Sequence, residues 1–219
     1  MLSLKSTFEV NELLWGEAMN EKFFDLKKEK QDRMINAALK VFAVNGYAHA
    51  STDDIVKEAG ISKGLLFHYF ENKIGLYSFI YDFSIKYISL ELMSSVDKND
   101  NDYFGLYIQI KNAEANVMRG YPYMIEFVNS TEDEDILEAL NAIGEIKNII
   151  PERVEEYFKH ANTYSFEEGT NLKKLSEIIE YTSRIAMKNN LKYNQGHPEF
   201  YARDMKDYLI LLKKGFYRQ

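Results

Sequence analysis

The sequence predicts an all-α protein of about nine helices. Three observations lead there. The 219 residues include only three prolines, Pro122, Pro151 and Pro198, so long stretches lack the residue that breaks helix interiors. In those stretches apolar residues recur at i, i+3, i+4 and i+7, the spacing of one buried helix face. Runs that alternate apolar and polar residues, as a half-buried strand would, are scarce, and no sheet is expected.

Composition removes several function classes. The hydrophobic fraction of 46% is enough for a sizeable core, and the absence of cysteine excludes a disulfide framework and a thiolate metal site. No apolar run approaches the roughly 20 residues of a membrane helix. No basic flank leads into an apolar leader. These features predict a soluble, cytoplasmic protein with no membrane partner. His49, His68, His160 and His197 show no metal-ligand spacing, and there is no GxSxG and no phosphate-binding glycine loop. No catalytic residue, cofactor or metal is expected, and an enzyme is the rejected rival. The net charge is −7, yet residues 27–77 hold eight Lys/Arg against six Asp/Glu and are the only net-positive segment. A basic island in an acidic chain suits a nucleic-acid contact while limiting non-specific binding.

Along the chain, residues 1–26 read as an N-terminal extension. Phe8, Leu13, Leu14 and Trp15 either form a short amphipathic helix after a Thr7 cap or belong to a loosely docked tail, with Met19 an alternative start. Residues 27–45 form a helix buried through Ile35, Ala38, Leu39 and Phe42 and ended by Gly46; Lys27, Lys28, Lys30 and Arg33 at its start are either a solvated end or phosphate contacts. Residues 51–73 then hold two short helices around Gly60. Ser51 caps the first, with Asp54 three residues on. Ser62 caps the second, and Ile61 and Leu66 are spaced as a hydrophobic staple. Glycine alone enters the left-handed backbone of such a turn without steric cost. Helix, glycine turn and helix in about twenty residues is the layout of a DNA-binding helix-turn-helix.

Asn72 caps a helix of some 20 residues through Leu76, Phe79, Ile80, Phe83, Tyr87 and Leu90. A polar loop follows at 97–102, then a helix at 103–119 closed by Gly120. Pro122 opens a short helix that ends near Asn129. Residues 134–148 form a helix that Pro151 either kinks or replaces with a new one. After a loop at 162–169, residues 170–190 form a helix, and His197-Pro198 opens the last one. The domains predicted are 27–74, carrying the motif, and 75–219.

The string Ala-Gly-Ile-Ser-Lys-Gly-x-Leu-x-His-Tyr-Phe-x-Asn-Lys, from Ala59 to Lys73, together with Phe42, Gly46-Tyr47, Ser51 and Ile55, resembles the TetR family of bacterial transcriptional regulators. The motif resemblance covers about residues 30–80, and the rest matches in layout. It implies an N-terminal three-helix DNA-binding domain followed by a larger helical ligand-binding and dimerisation domain. It further implies a ligand-responsive regulator, by family default a repressor, that binds palindromic double-stranded operator DNA as a homodimer and is released by a small, largely apolar effector. The alternative is a helical scaffold for a protein partner. Ala50 stands where relatives commonly carry Thr, Phe67 where they carry Tyr, and Leu65 where they carry a small or hydroxylated residue. Asp53 adds a carboxylate on the DNA side. An operator copied from a relative is therefore in doubt.

Residue by residue, the DNA contacts implied are Ser51, Thr52, Ser62, Lys63, Gly64, Leu65, His68, Tyr69 and Lys73. Phosphates supply affinity and base edges supply sequence choice. Lys63 and Lys73 each pair a cation with a helix N-terminus. Ser51 and Ser62 are either caps alone or caps that also meet phosphate, and Tyr69 either meets phosphate or packs inward. His68 reaches a base or phosphate, Gly64 permits close approach, and Leu65 suits a thymine methyl. Tyr103, Tyr107, Met118, Tyr121, Met124, Phe127, Tyr157 and Phe158 are either core or the wall of an effector pocket. Leu175, Ile179, Thr182, Met205, Leu209 and Leu212 face either their own core or a second copy, and the resemblance favours the second copy.

Overall fold

The computed structural model describes residues 21–218. The expected Thr7 cap, the amphipathic stretch to Trp15 and the Met19 start lie outside them. The described residues form helices joined by turns and loops and contain no strand, only one isolated bridge between Phe166 and Tyr217. No described helix is long and apolar enough to cross a membrane.

Helix α1, Glu21–Phe24, is a single turn at the far end of the predicted extension. It is not loose. Phe23 is fully buried, with ring centroids 5.1 Å from Phe70 and 5.2 Å from Phe79. The buried Gln31 amide holds the turn by donating to the carbonyls of Phe24 and Leu26. Helix α2, Lys28–His49, buries Ile35, Ala38, Leu39 and Phe42 as its spacing predicts. At Gly46 the backbone leaves helical geometry (φ 66°, ψ 175°), so the predicted end is a break, followed by one further turn.

The motif helices are α3, Thr52–Ala59, and α4, Lys63–Phe70. Helix α5, Lys73–Ser95, runs from the motif into the rest of the chain; Asn72 caps it by accepting from the Gly75 amide at 2.8 Å. Helix α6, Tyr103–Gly120, packs between α5 and the last helix. Pro122 precedes the short α7, Met124–Ser130, which lies against α2.

The predicted helix at 134–148 is divided. A 3-10 turn, Thr131–Asp133, leads to α8, Leu137–Ile143, then a second 3-10 turn, Gly144–Asn148, and α9, Ile149–Phe158. Pro151 sits in the first turn of α9, where its missing N–H removes no helical bond, so it starts a helix and does not kink one. Helices α10, Leu172–Tyr193, and α11, Pro198–Phe216, pack on each other, and α11 also packs on α6.

Candidate functional site: a helix-turn-helix reader and an internal cavity

The reader is shaped by three caps and one turn. Ser51 Oγ accepts from the Asp53 amide at 3.1 Å, and Ser62 Oγ accepts from the Leu65 amide at 3.2 Å. Each bond satisfies one of the amides that a helix start leaves unpaired. Gly60 adopts φ 65°, ψ 42°, which turns the chain between α3 and α4. Ile55, Ala59, Leu66 and Phe70 are buried beneath the turn, and Ile61 packs on the same core as Leu66.

The outer side carries Ser62, Lys63, Gly64 and His68, all exposed, at the start and along one face of α4. Leu65 and Phe67 are half-buried, as are Ser51 and Thr52 at the start of α3. Lys63 Nζ lies 2.8 Å from Asp53 Oδ1, and both groups are exposed. Asp53 is thus a local competitor for the cation expected to meet phosphate. Tyr69 is 9% exposed, its ring 5.7 Å from Phe23, so most of it is core. Lys73 donates to the carbonyls of Tyr47 at 2.8 Å and Ala50 at 3.3 Å, and lies 4.3 Å from the Tyr47 ring centroid. It ties the start of α5 to the chain between α2 and α3.

Beyond the reader, a cavity of about 530 Å³ opens between α6, α9 and α10. Tyr103, Tyr107 and Phe158 of the expected effector wall meet there, with Phe158 at 5.1 Å from Tyr103 and 4.7 Å from Tyr107. The other five lie elsewhere. Met118, Tyr121, Met124 and Phe127 are in close-packed core: Phe127 lies 5.6 Å from Tyr77, and the Tyr121 hydroxyl donates to Asp32 at 2.8 Å. Tyr157 lines a separate open cleft with Arg153 and His160. Helical spacing brings residues to one face of one helix, but which neighbour that face meets is a tertiary matter.

The cavity is less apolar than the sequence suggests. Lys111 is buried and its ammonium bonds Glu114 at 2.9 Å and Glu180 at 3.0 Å. Burial alone would pull the Lys111 pKa down, but the two carboxylates outweigh it and hold it well above the ordinary value. The buried Tyr201 hydroxyl bonds Glu114 and lies 2.8 Å from Ser183 Oγ, which joins α6, α10 and α11 in one polar network. At the rim, Arg184 pairs with Glu132. Sequence reading missed this set because its members lie far apart in the chain.

On α10 and α11, Leu175, Ile179, Met205 and Leu209 are at most 1% exposed and already enclosed by their own chain. Thr182 and Leu212 are half-buried. Leu175, Ile179, Met205 and Leu209 thus face their own core, while Thr182 and Leu212 keep part of their surface open. The outward apolar residues of the same helices are Ile178, Tyr181, Ile185, Tyr208, Ile210 and Leu211, with Tyr181 66% and Leu211 68% exposed. One apolar set faces the core and the other faces out; a single sequence shows both as apolar without saying which is which.

A family model described as "Bacterial regulatory proteins, tetR family" matches residues 34–78. The chain is 23% identical over 124 residues to the biofilm operon icaADBC HTH-type negative transcriptional regulator IcaR of Staphylococcus epidermidis, covering 49% of this chain and 67% of that protein. It is 40% identical over 47 residues to the fatty acid metabolism regulator protein of Bacillus subtilis, and 47% identical over 49 residues to the uncharacterized HTH-type transcriptional regulator YuxN of the same organism. Each of those two matches covers 22% of this chain, and it spans only 24% of the first protein and 17% of the second. Among solved structures, a TetR family transcriptional regulator from Chloroflexus aurantiacus aligns over 92% of this chain and 100% of its own, with a TM-score of 0.63 and 17% identity. The fatty acid degradation regulator FadR from Bacillus halodurans aligns over 84% of this chain and 96% of its own, with a TM-score of 0.55 and 16% identity. At these identities the likeness is one of fold.

Proposed function

We propose that this chain, a helix-turn-helix regulator of TetR type by its match over residues 34–78, acts in the cytoplasm as a ligand-responsive repressor. It binds a palindromic operator as a homodimer and releases it when a small effector enters the cavity. The observation that carries this reading is the exposed start of α4, where Lys63, Gly64 and His68 stand clear of the core beside the Ser62 cap. A helix of 8 residues reads only a few base pairs, so a useful site needs two readers and two-fold symmetry. The outward Ile178, Tyr181, Ile185 and Leu211 offer the apolar surface for pairing. The negative regulator among the relatives supports the repressor sign. The cavity amends the effector: an apolar body against Tyr103, Tyr107 and Phe158, with a polar group to meet the Lys111–Glu180 pair.

The test is selection from a random duplex library with the full chain, followed by sedimentation. Enrichment of a palindrome and a dimeric mass are expected, and Leu211→Glu should yield monomer that no longer retains the palindrome. A monomer that enriches no sequence would refute the reading.

A further inference from the structure

Tyr47 is held at three of its polar atoms, and the groups that hold it come from both ends of the proposed mechanism. Its amide donates to Glu134 Oε2 at 3.1 Å, its hydroxyl donates to Glu138 Oε2 at 2.6 Å, and its carbonyl accepts from Lys73 Nζ at 2.8 Å. The other oxygen of Glu134 accepts from the Ile136 amide at 3.0 Å, so one carboxylate bridges the start of α8 and the chain just before α3. The ring is 5% exposed and 5.0 Å from Tyr77 of α5. Burial first, then the bond to Glu138, pushes the Tyr47 phenol above its ordinary pKa, so it remains a donor near neutral pH.

The same short segment reaches the cavity. Glu132, two residues before Glu134, pairs with Arg184 of α10, and both side chains line the cavity. The segment therefore has one end on the cavity rim and the other on the residue four positions before the Ser51 cap. The neighbouring α2–α7 contact is apolar, with Phe42 and Phe127 rings 6.0 Å apart. Apolar contacts tolerate sliding, whereas hydrogen bonds fail over a few tenths of an ångström and beyond a narrow angle. The polar bonds thus give this junction discrete made and broken states.

We propose that Glu132 to Glu138 is a tie through which the state of the cavity sets the placement of the DNA-reading helices, with Tyr47 the residue it grips. Glu134, Glu138 and Tyr47 are positioning residues, engaged with one another and not counted among the expected DNA contacts. This rests on the DNA-binding reading above. In a dimer, the placement of each reader fixes the distance between half-sites. A chain with the tie cut should therefore lose its preference for one half-site spacing, which a loss of stability alone would not change.

The experiment uses the full chain, the palindrome it selects, and two versions with one base pair added or removed at the centre. Wild type should prefer the selected spacing. Glu134→Ala should shrink that preference by about fivefold or more, and Tyr47→Phe, which removes only the bond to Glu138, by less. Arg184→Ala, which removes the rim partner of Glu132, should move it in the same direction. Hydrogen exchange at the Tyr47 amide reads the tie without DNA: protected in wild type, it should be lost in Glu134→Ala. A folded Glu134→Ala chain with wild-type spacing preference overturns the proposal, as does unchanged exchange at Tyr47. An Arg184→Ala chain with unchanged preference overturns the link to the cavity. If wild type selects no duplex, the DNA-binding reading fails, while the exchange result still decides whether the tie holds Tyr47.

Discussion

The reader and the body of this chain satisfy their polar groups by opposite means. In the reader, Ser51, Ser62 and Asn72 each bond an amide two or three residues away. In the body, Lys111 is neutralised in part by Glu180, 69 positions along the chain, and Glu114 is reached by Tyr201 from 87 positions away. The local device builds a rigid unit that can be presented to a ligand with its outer face free. The long-range device couples three helices, so a change at one is felt by the others. The proposed division into a reading head and a ligand-responsive body would be served by that contrast.

Breaking the long-range network is the largest test of this contrast. Lys111→Met leaves Glu114 and Glu180 facing each other without a cation. It should cost about 3–5 kcal/mol in urea unfolding, the range for breaking a buried ion pair from one side. Glu180→Gln should cost under about 1 kcal/mol, because Glu180 is partly exposed. Equal costs would show that the network is not centred on the lysine. On the reader, Lys63→Ala should weaken binding to every duplex and lower the salt slope by about one unit. Asp53→Asn should strengthen binding, since it frees Lys63 from its competitor; fluorescence anisotropy across a salt series reads both. Ser62→Ala removes a single local bond and should cost about 1 kcal/mol of stability with little effect on α10 or α11.

The smallest effect is a pH dependence at the far end of the body. Asp102 caps α6 and accepts from Lys213 Nζ at 2.6 Å and Tyr217 at 2.7 Å. Burial works against its charge, but the bonds from Lys213 and Tyr217 outweigh it and hold the carboxyl below its ordinary pKa. A depressed folded-state value means the stabilisation is full above the unfolded value of about 3.9 and is lost as pH falls through the folded one. Asp102→Asn should therefore lower Tm at pH 7 and converge with wild type in acid. A constant gap across pH would assign the effect to packing.

How much was legible follows the same division. The caps, Gly60 and the Ile61–Leu66 staple involve residues within five positions of one another and could be read directly. Phe23 could not: in the single turn Glu21–Phe24 it belongs to no long apolar stripe, and only Phe70 and Phe79 from later helices show its use. The aromatic residues of the middle helices share one composition, yet Tyr107 lines the cavity while Phe127 is sealed in core. Lys73 was legible as a cation at a helix start, but not as the group that holds the Tyr47 carbonyl.

The sequence by itself determined that this is an all-α chain with a helix-turn-helix between Ser51 and Lys73. Helix spacing, caps and glycine turns arise from interactions within about four residues, and those are written in order along the chain. The tertiary structure decided which face of α10 is core and which is free, which aromatics border a cavity, and that Tyr47 is gripped by Glu134 and Glu138 from 87 and 91 residues away. These depend on how whole helices rotate and dock, and that choice is made by the fit of all their surfaces at once.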